Sequence, residues 1–149
     1  MLYLYQMGKN TSFYIDTLGC KLNQAESEEM SRNFMQAGVR VASSMEEADL
    51  YILNTCSVTR EAERKARQFL RRARNLNRKA KVYAAGCYTR RNPGELEDIS
   101  EVIILHNNGQ AGEIITNCHS QSGEQFTGLN ELGLLKTRSM LKIQEGCNY

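Results

Sequence analysis

The fold is decided by a segment that recurs three times: FYIDTLGC at residues 13–20, ADLYILNTC at residues 48–56 and KVYAAGC at residues 81–87. Each copy is a short apolar run rich in Tyr, Ile, Val or Leu, which is typical of a buried β-strand. Each copy also ends in a cysteine. A fourth apolar run, EVIIL at residues 101–105, is predicted to extend the same sheet.

Helices are predicted between these strands. The first runs from Asn23, where Asn23 and Glu26 have the spacing of a capping box, and Gly38 is suited to end it. The second begins after Thr59, and a shorter one is expected around residues 111–118. The apolar residues of the second helix form one stripe, made of Ala62, Ala66, Phe69, Leu70, Ala73 and Leu76.

The order β-α-β-α-β predicts an α/β protein with an open, mostly parallel sheet, flanking helices and a flavodoxin-like arrangement. Cys20, Cys56 and Cys87 are separated by 36 and 31 residues, and one βαβ unit occupies roughly 30 or more residues. Each cysteine is therefore expected just past the carboxyl end of a strand. Ligand sites of parallel sheets lie at that edge.

Three thiols at one edge should lie near one another, and grouped thiolates select zinc, copper(I) or an iron–sulfur cluster. Structural zinc is usually bound by CxxC pairs, which the sequence lacks. Three thiolates on separate loops instead suit a [4Fe–4S] cluster in which one iron has no cysteine ligand. Gly19 and Gly86 would let the backbone approach such a cluster closely. The alternative is that the cysteines are small buried hydrophobic residues in turns.

The amino-acid composition excludes several classes of protein. The chain has 149 residues, 41% of them hydrophobic and 24% charged, which fits one compact domain. It has no apolar run of about 20 residues and no secretory signal, so we expect a cytoplasmic protein with no membrane partner. The five cysteines are odd in number and widely spaced, which argues against a disulfide framework.

The net charge of +2 conceals a basic block, which only Glu61 and Glu63 oppose. Such a patch suits a phosphate-rich partner, and the alternative is a solvated helix face. A stripe of arginines at spacings of three and four is expected to lie exposed, at positions 64, 67, 71, 74 and 78. The block consists of Arg60, Arg64, Lys65, Arg67, Arg71, Arg72, Arg74, Arg78, Lys79 and Lys81.

At the cysteines the sequence resembles a known family. TLGCKLNQ at residues 17–24, NTCSVT at residues 54–59 and AGCY at residues 85–88 resemble the amino-terminal domain of the radical-SAM methylthiotransferases. KIQEGCNY at residues 142–149 resembles the opening of the CxxxCxxC motif of that family. The sequence departs from the family pattern at residues 89–90, Thr-Arg, where relatives often carry Ala-Gln.

The resemblance implies two clusters. Cys20, Cys56 and Cys87 would hold an auxiliary [4Fe–4S] cluster, and Cys147 would be the first ligand of a second [4Fe–4S] cluster that binds S-adenosylmethionine. Cys118, His119 and His106 match no family motif and are interpreted as structural or exposed residues.

The resemblance also implies an enzyme that transfers sulfur-containing groups. Lys21, Asn23 and Gln24 favour the class that inserts a methylthio group at C2 of N6-threonylcarbamoyladenosine, next to the anticodon of tRNA. We expect a monomer with tRNA and S-adenosylmethionine as partners. The alternatives are an enzyme acting on isopentenyladenosine in tRNA, and a non-catalytic RNA-binding α/β module.

The expected organisation has three parts. Residues 1–119 form the cluster-binding domain, residues 120–138 form a linker, and residues 139–149 begin a truncated radical-SAM domain. Only two residues follow Cys147, so two ligands of the second cluster and the catalytic barrel are absent. The chain is therefore expected to contain no catalytic residue and to be inactive alone.

Overall fold

The computed structural model describes residues 11–105 together with Gly112 and Ile114. The described elements begin in the order β-α-β-β-α-β, and two short helices and a fifth strand follow the fourth strand. The elements are β1 (Ser12–Thr17), α1 (Lys21–Gln36), β2 (Arg40–Val41), β3 (Leu50–Thr55), α2 (Arg60–Leu76), β4 (Lys81–Gly86), α3 (Cys87–Arg91), α4 (Pro93–Glu97) and β5 (Val102–Ile104).

The five described strands form one open sheet in the order β2-β1-β3-β4-β5, and every pair is parallel. The predicted flavodoxin-like α/β fold is confirmed. Strand β2 was not predicted from the sequence, because it has two residues and both are exposed. An edge strand of that length leaves no run of apolar residues to detect.

Helices cover both faces of the sheet. Successive side chains of a strand point to opposite faces, so Leu50 and Ile52 of β3 pack with Phe34 of α1 on one side. Tyr51 lies on the other side, where it packs with Leu70 of α2. Every residue of β3 is buried, because this central strand has neighbours on both edges and helices on both faces.

The starts of the helices correct two expectations and confirm one. Helix α1 begins two residues before Asn23, and the capping box is formed by Cys20 with Asn23, so the predicted pairing of Asn23 with Glu26 is wrong. Helix α2 begins after Thr59 as predicted, and the Thr59 hydroxyl accepts the Ala62 N–H at 3.1 Å. Leu76 was expected in the apolar stripe but is 43% exposed.

Part of the predicted organisation lies outside the described residues. In the range expected to be a helix at residues 111–118, Gly112 and Ile114 are described, both are helical, and Ile114 is buried in the core on the α1 side. The other predicted features in this part of the chain lie outside the described residues: His106, Cys118, His119, the linker at 120–138 and the segment 139–149 with Cys147. None of the described helices has the length and apolar character of a membrane span.

Candidate metal centre

The three predicted ligands lie at the carboxyl ends of three neighbouring strands. Cys20 is the N-cap of α1 and follows β1, Cys56 follows β3 directly, and Cys87 is the first residue of α3 after β4. Strands β1, β3 and β4 are adjacent and parallel, so their carboxyl ends share one edge. The fold therefore brings all three cysteines to the edge that the sequence predicts.

The three thiols differ in exposure. Cys20 is exposed, Cys87 is half-buried and Cys56 is buried, and none of them forms a disulfide. Among the described residues, no group of three His, Cys, Asp or Glu side chains is arranged to hold a single metal ion. A four-iron cluster is far larger than one ion and separates its thiolates further, and metal binding commonly orders its own ligands. The donor set and its shared edge thus fit a cluster, with Cys20 the most accessible thiol.

Two glycines bring the cysteine turns into close contact. Gly19 has φ of +143°, and a Cβ built on it would lie 2.7 Å from the Cβ of Cys56. Gly86 has φ of +97°, and its Cβ would overlap the backbone of Thr55 and the amide of Asn54. Both glycines are predicted to let the backbone approach a cluster, and that remains a prediction. The structure shows that each glycine lets one turn pack against its neighbour.

A buried amide pair lies directly beneath these turns. Asn23 and Asn54 are 1% and 0% exposed. The Asn23 side-chain NH₂ donates to Asn54 Oδ1 at 3.1 Å and to the Thr55 carbonyl at 3.2 Å. The Asn54 side-chain NH₂ donates in return to the Asn23 carbonyl at 2.9 Å and to Ser27 Oγ at 3.1 Å. This reciprocal pair ties the start of α1 to the end of β3.

The same pair reaches the first cysteine. Asn23 Oδ1 accepts hydrogen bonds from the Cys20 N–H at 3.3 Å and from the Cys20 thiol at 3.2 Å. Thr17 donates to Ser27 Oγ at 2.7 Å, which extends the network to β1. No buried side-chain nitrogen or oxygen of the described residues lacks a hydrogen-bond partner. The polar residues at this edge therefore hold the protein's own turns in place.

The third cysteine lies in a turn fixed by two threonines. Thr55 Oγ1 donates to the Ala85 carbonyl at 2.5 Å. Thr89 is fully buried, with its hydroxyl 2.8 Å from the Gly86 carbonyl and 3.0 Å from the Leu105 carbonyl. Thr89 is one of the two departures from the family pattern, and the structure gives it a role that sequence reasoning missed. It closes the turn that carries Cys87.

Glu26, which was predicted to belong to a capping box, is instead a buried acidic residue under the same edge. Glu26 is only 2% exposed, and its carboxylate is 3.9 Å from the guanidinium of Arg90. The ion pair joins α1 to α3 across the edge of the sheet. A buried carboxylate is costly unless it is paired, and a glutamate on an amphipathic helix gives no sign of burial in the sequence.

Two arginines of the basic block are bound within the protein. The Arg67 guanidinium contacts Glu95 at 2.6 Å and the Tyr88 hydroxyl, and Arg74 pairs with Glu101 and donates to the Ala80 carbonyl at 3.0 Å. Burial raises the pKa of Tyr88 to about 12, and its hydrogen bond to Arg67 raises the pKa of that guanidinium. The predicted exposed stripe of five arginines is therefore wrong at positions 67 and 74.

Comparisons with known proteins find a family and relatives that match most of this chain. The family described as "Uncharacterized protein family UPF0004" matches residues 12–106. The threonylcarbamoyladenosine tRNA methylthiotransferase MtaB of Aquifex aeolicus is 34% identical, covering 89% of this chain and 36% of its own. The MtaB of Bacillus subtilis is 33% identical over 89% of this chain and 33% of its own.

A second group of relatives carries another name. The tRNA-2-methylthio-N(6)-dimethylallyladenosine synthase of Chlorobium phaeovibrioides is 31% identical, covering 94% of this chain and 35% of its own. The chain thus spans about a third of the length of these curated relatives.

Proposed function

This chain belongs to the UPF0004 family, and we propose from that premise that it is the amino-terminal, cluster-binding domain of a tRNA methylthiotransferase. The observation that carries the proposal is the placement of Cys20, Cys56 and Cys87 after three adjacent parallel strands. The names of the curated relatives support tRNA as the substrate and transfer of a methylthio group as the reaction.

Within this class, the substrate is N6-threonylcarbamoyladenosine, modified at C2 next to the anticodon. The names of the MtaB relatives support it, as does the motif at residues 21–24. Lys21 and Gln24 of that motif are exposed, whereas Asn23 is buried in the amide pair. Lys21 and Gln24 are therefore the residues of the motif that are free to distinguish substrates. Dimethylallyladenosine is the second candidate, because relatives named for it match equally long stretches.

In this function Cys20, Cys56 and Cys87 hold the auxiliary [4Fe–4S] cluster through their sulfur atoms. When bound there, such a cluster would supply the sulfur-transfer chemistry of the reaction. Asn23 orients the Cys20 turn through its amide oxygen, and burial of Cys56 keeps water from that side of the site. Cys147 is the first ligand of the second cluster, which binds S-adenosylmethionine.

Anaerobic reconstitution with iron and sulfide tests this assignment. We expect a brown protein with about four irons per chain, the content of one [4Fe–4S] cluster. Replacing Cys20, Cys56 or Cys87 with Ala should lower the iron content sharply, whereas the matched control Cys118→Ala should retain it. If the three single variants bound as much iron as the parent, the cluster assignment would be wrong.

The competing function is a non-catalytic RNA-binding module. The same experiment separates the two, because a module whose cysteines serve only packing takes up no stoichiometric iron. The observation that favours the module is the basic surface of α2, which requires no cluster.

A further inference from the structure

The outer surface of α2 carries arginines whose charge the fold does not neutralise. Arg64, Arg71 and Arg72 are exposed and form no ion pair with a carboxylate of residues 11–105. Together with neighbouring side chains they line a shallow groove of about 630 Å³. We call this surface the basic groove. It is lined by Arg64, Arg67, Gln68, Arg71, Arg72, Asn75 and Leu76.

The acidic residues nearest to the basic groove are already engaged elsewhere. None of them forms an ion pair with Arg64, Arg71 or Arg72, so no direct carboxylate contact offsets the charge of these three cations. A surface with uncompensated charge of one sign attracts a partner of the opposite sign. The pairs are Glu61 with Lys65, Glu63 with Asn92, Glu95 with Arg67 and Glu101 with Arg74.

The spacing along the helix alternates cations with amides. Arg64, Gln68, Arg71 and Asn75 follow one another at intervals of four, three and four residues, so they share one face. The two arginines are seven residues apart, which is roughly 10 Å along the helix axis. Guanidinium groups bind phosphate bidentately, and the two amides on this face, one between the arginines and one beyond Arg71, can donate further hydrogen bonds to phosphate or sugar oxygens. No carboxylate lines the groove.

We propose that the basic groove binds the phosphate backbone of the RNA substrate and leads it towards the cysteine edge. Helix α2 begins four residues after Cys56, so the Arg64 end of the groove is nearer to that edge than the Arg71 end. The proposal rests on the proposed function only for RNA as the substrate class. The surface itself follows from the charge, the spacing and the lining of α2.

The test uses two variants that each remove two positive charges, one variant inside the basic groove and the other outside it. Arg64→Gln with Arg71→Gln removes two exposed cations of the groove. The matched control, Arg32→Gln with Arg40→Gln, removes two exposed cations from α1 and β2. Binding of an unmodified tRNA transcript is measured by fluorescence anisotropy over a range of salt concentrations, and circular dichroism confirms that each variant is folded.

Two lost phosphate contacts should make the slope of log affinity against log salt shallower by about 1.4. The contribution of the phosphate contacts to affinity vanishes near 1 M salt. At 0.1 M salt, a slope shallower by about 1.4 therefore corresponds to an affinity about 25-fold weaker than that of the parent protein. The control variant should bind tRNA as the parent does. Iron content after reconstitution is measured on the same samples, so failure of the groove and failure of the cluster assignment are separate results.

Three results would overturn the proposal. The first is an unchanged affinity and slope in the groove variant. The second is equal weakening in the groove and control variants, which would show a general effect of net charge. The third is binding of polyglutamate as tightly as RNA with the same dependence on Arg64 and Arg71, which would assign the groove to an acidic protein.

Discussion

The amide pair beneath the cysteine turns gives the sharpest prediction of stability. Asn54 is fully buried, and its side chain makes three hydrogen bonds. Its Oδ1 accepts from the Asn23 side-chain NH₂, and its own NH₂ donates to the Asn23 carbonyl and to Ser27 Oγ. Asn54→Ala removes all three at once. We expect a large loss in the free energy of unfolding, although no residue of the hydrophobic core is touched.

The magnitude follows from what remains after the substitution. The Asn23 amide keeps the Thr55 carbonyl and Ser27 keeps Thr17, so neither group is left without a partner. The loss is then about 1 kcal/mol for each hydrogen bond, or about 3 kcal/mol in total. Asn23→Ala also removes the hydrogen bond between the two side chains, although it keeps the main-chain carbonyl that accepts from Asn54. Because both variants lose that one bond, combining them should cost less than the sum of the two single losses.

Urea unfolding followed by far-ultraviolet circular dichroism measures this loss. With a slope m of about 1.5 kcal/mol/M, the midpoint should fall by about 2 M at unchanged m. The matched control is Asn33→Ala, an exposed asparagine of α1, which should change stability by less than about 0.5 kcal/mol. A loss below about 1 kcal/mol in Asn54→Ala, or strict additivity with Asn23→Ala, would refute the reasoning.

Two further predictions concern the turn and helix around Cys87. Burial raises the pKa of Tyr88 to about 12, above that of an unfolded tyrosine near 10, so the folded state binds this proton more tightly. That stabilisation is complete below pH 10 and is lost as the pH rises through 12. Between these pH values, the free energy of unfolding of Tyr88→Phe should therefore fall by about 2–3 kcal/mol less than that of the parent. Urea titrations at several pH values measure it, and parallel curves would contradict it. Gly86→Ala should cost about 3 kcal/mol or more, because φ is positive and the methyl group meets the Thr55 backbone. The control Gly94→Ala, whose Cβ meets nothing, should be near neutral in the same unfolding assay, and equal effects would contradict the argument.

The elements that could be predicted from the sequence are those whose hydrophobic pattern extends over many neighbouring residues. Strands β1, β3 and β4 are continuous apolar runs because both faces of the sheet are covered, and α2 shows a stripe over 17 residues. The two helices after β4 have five residues each, which is too short for a helical period to appear. The positions of the three cysteines followed from strand order alone.

The remaining features depend on partners distant in the sequence. Asn23 has the sequence signature of a cap, but its amide bonds to residues 54 and 55, more than 30 positions away. Arg67 and Arg74 belong to a basic run, and they are withdrawn from the surface by Glu95 and Glu101, 28 and 27 residues further along the chain. Only the fold brings these groups together.

The two edges of the described sheet are much shorter than its middle. Strands β2 and β5 have two and three residues, whereas the three strands between them have six each. A long edge strand offers unpaired N–H and C=O groups to other chains and promotes aggregation, and short edges limit this. Although Val41 and Ile103 at these edges are each 45% exposed, too little free backbone accompanies them to template an added strand. The sheet should therefore resist growth by strand addition at either edge.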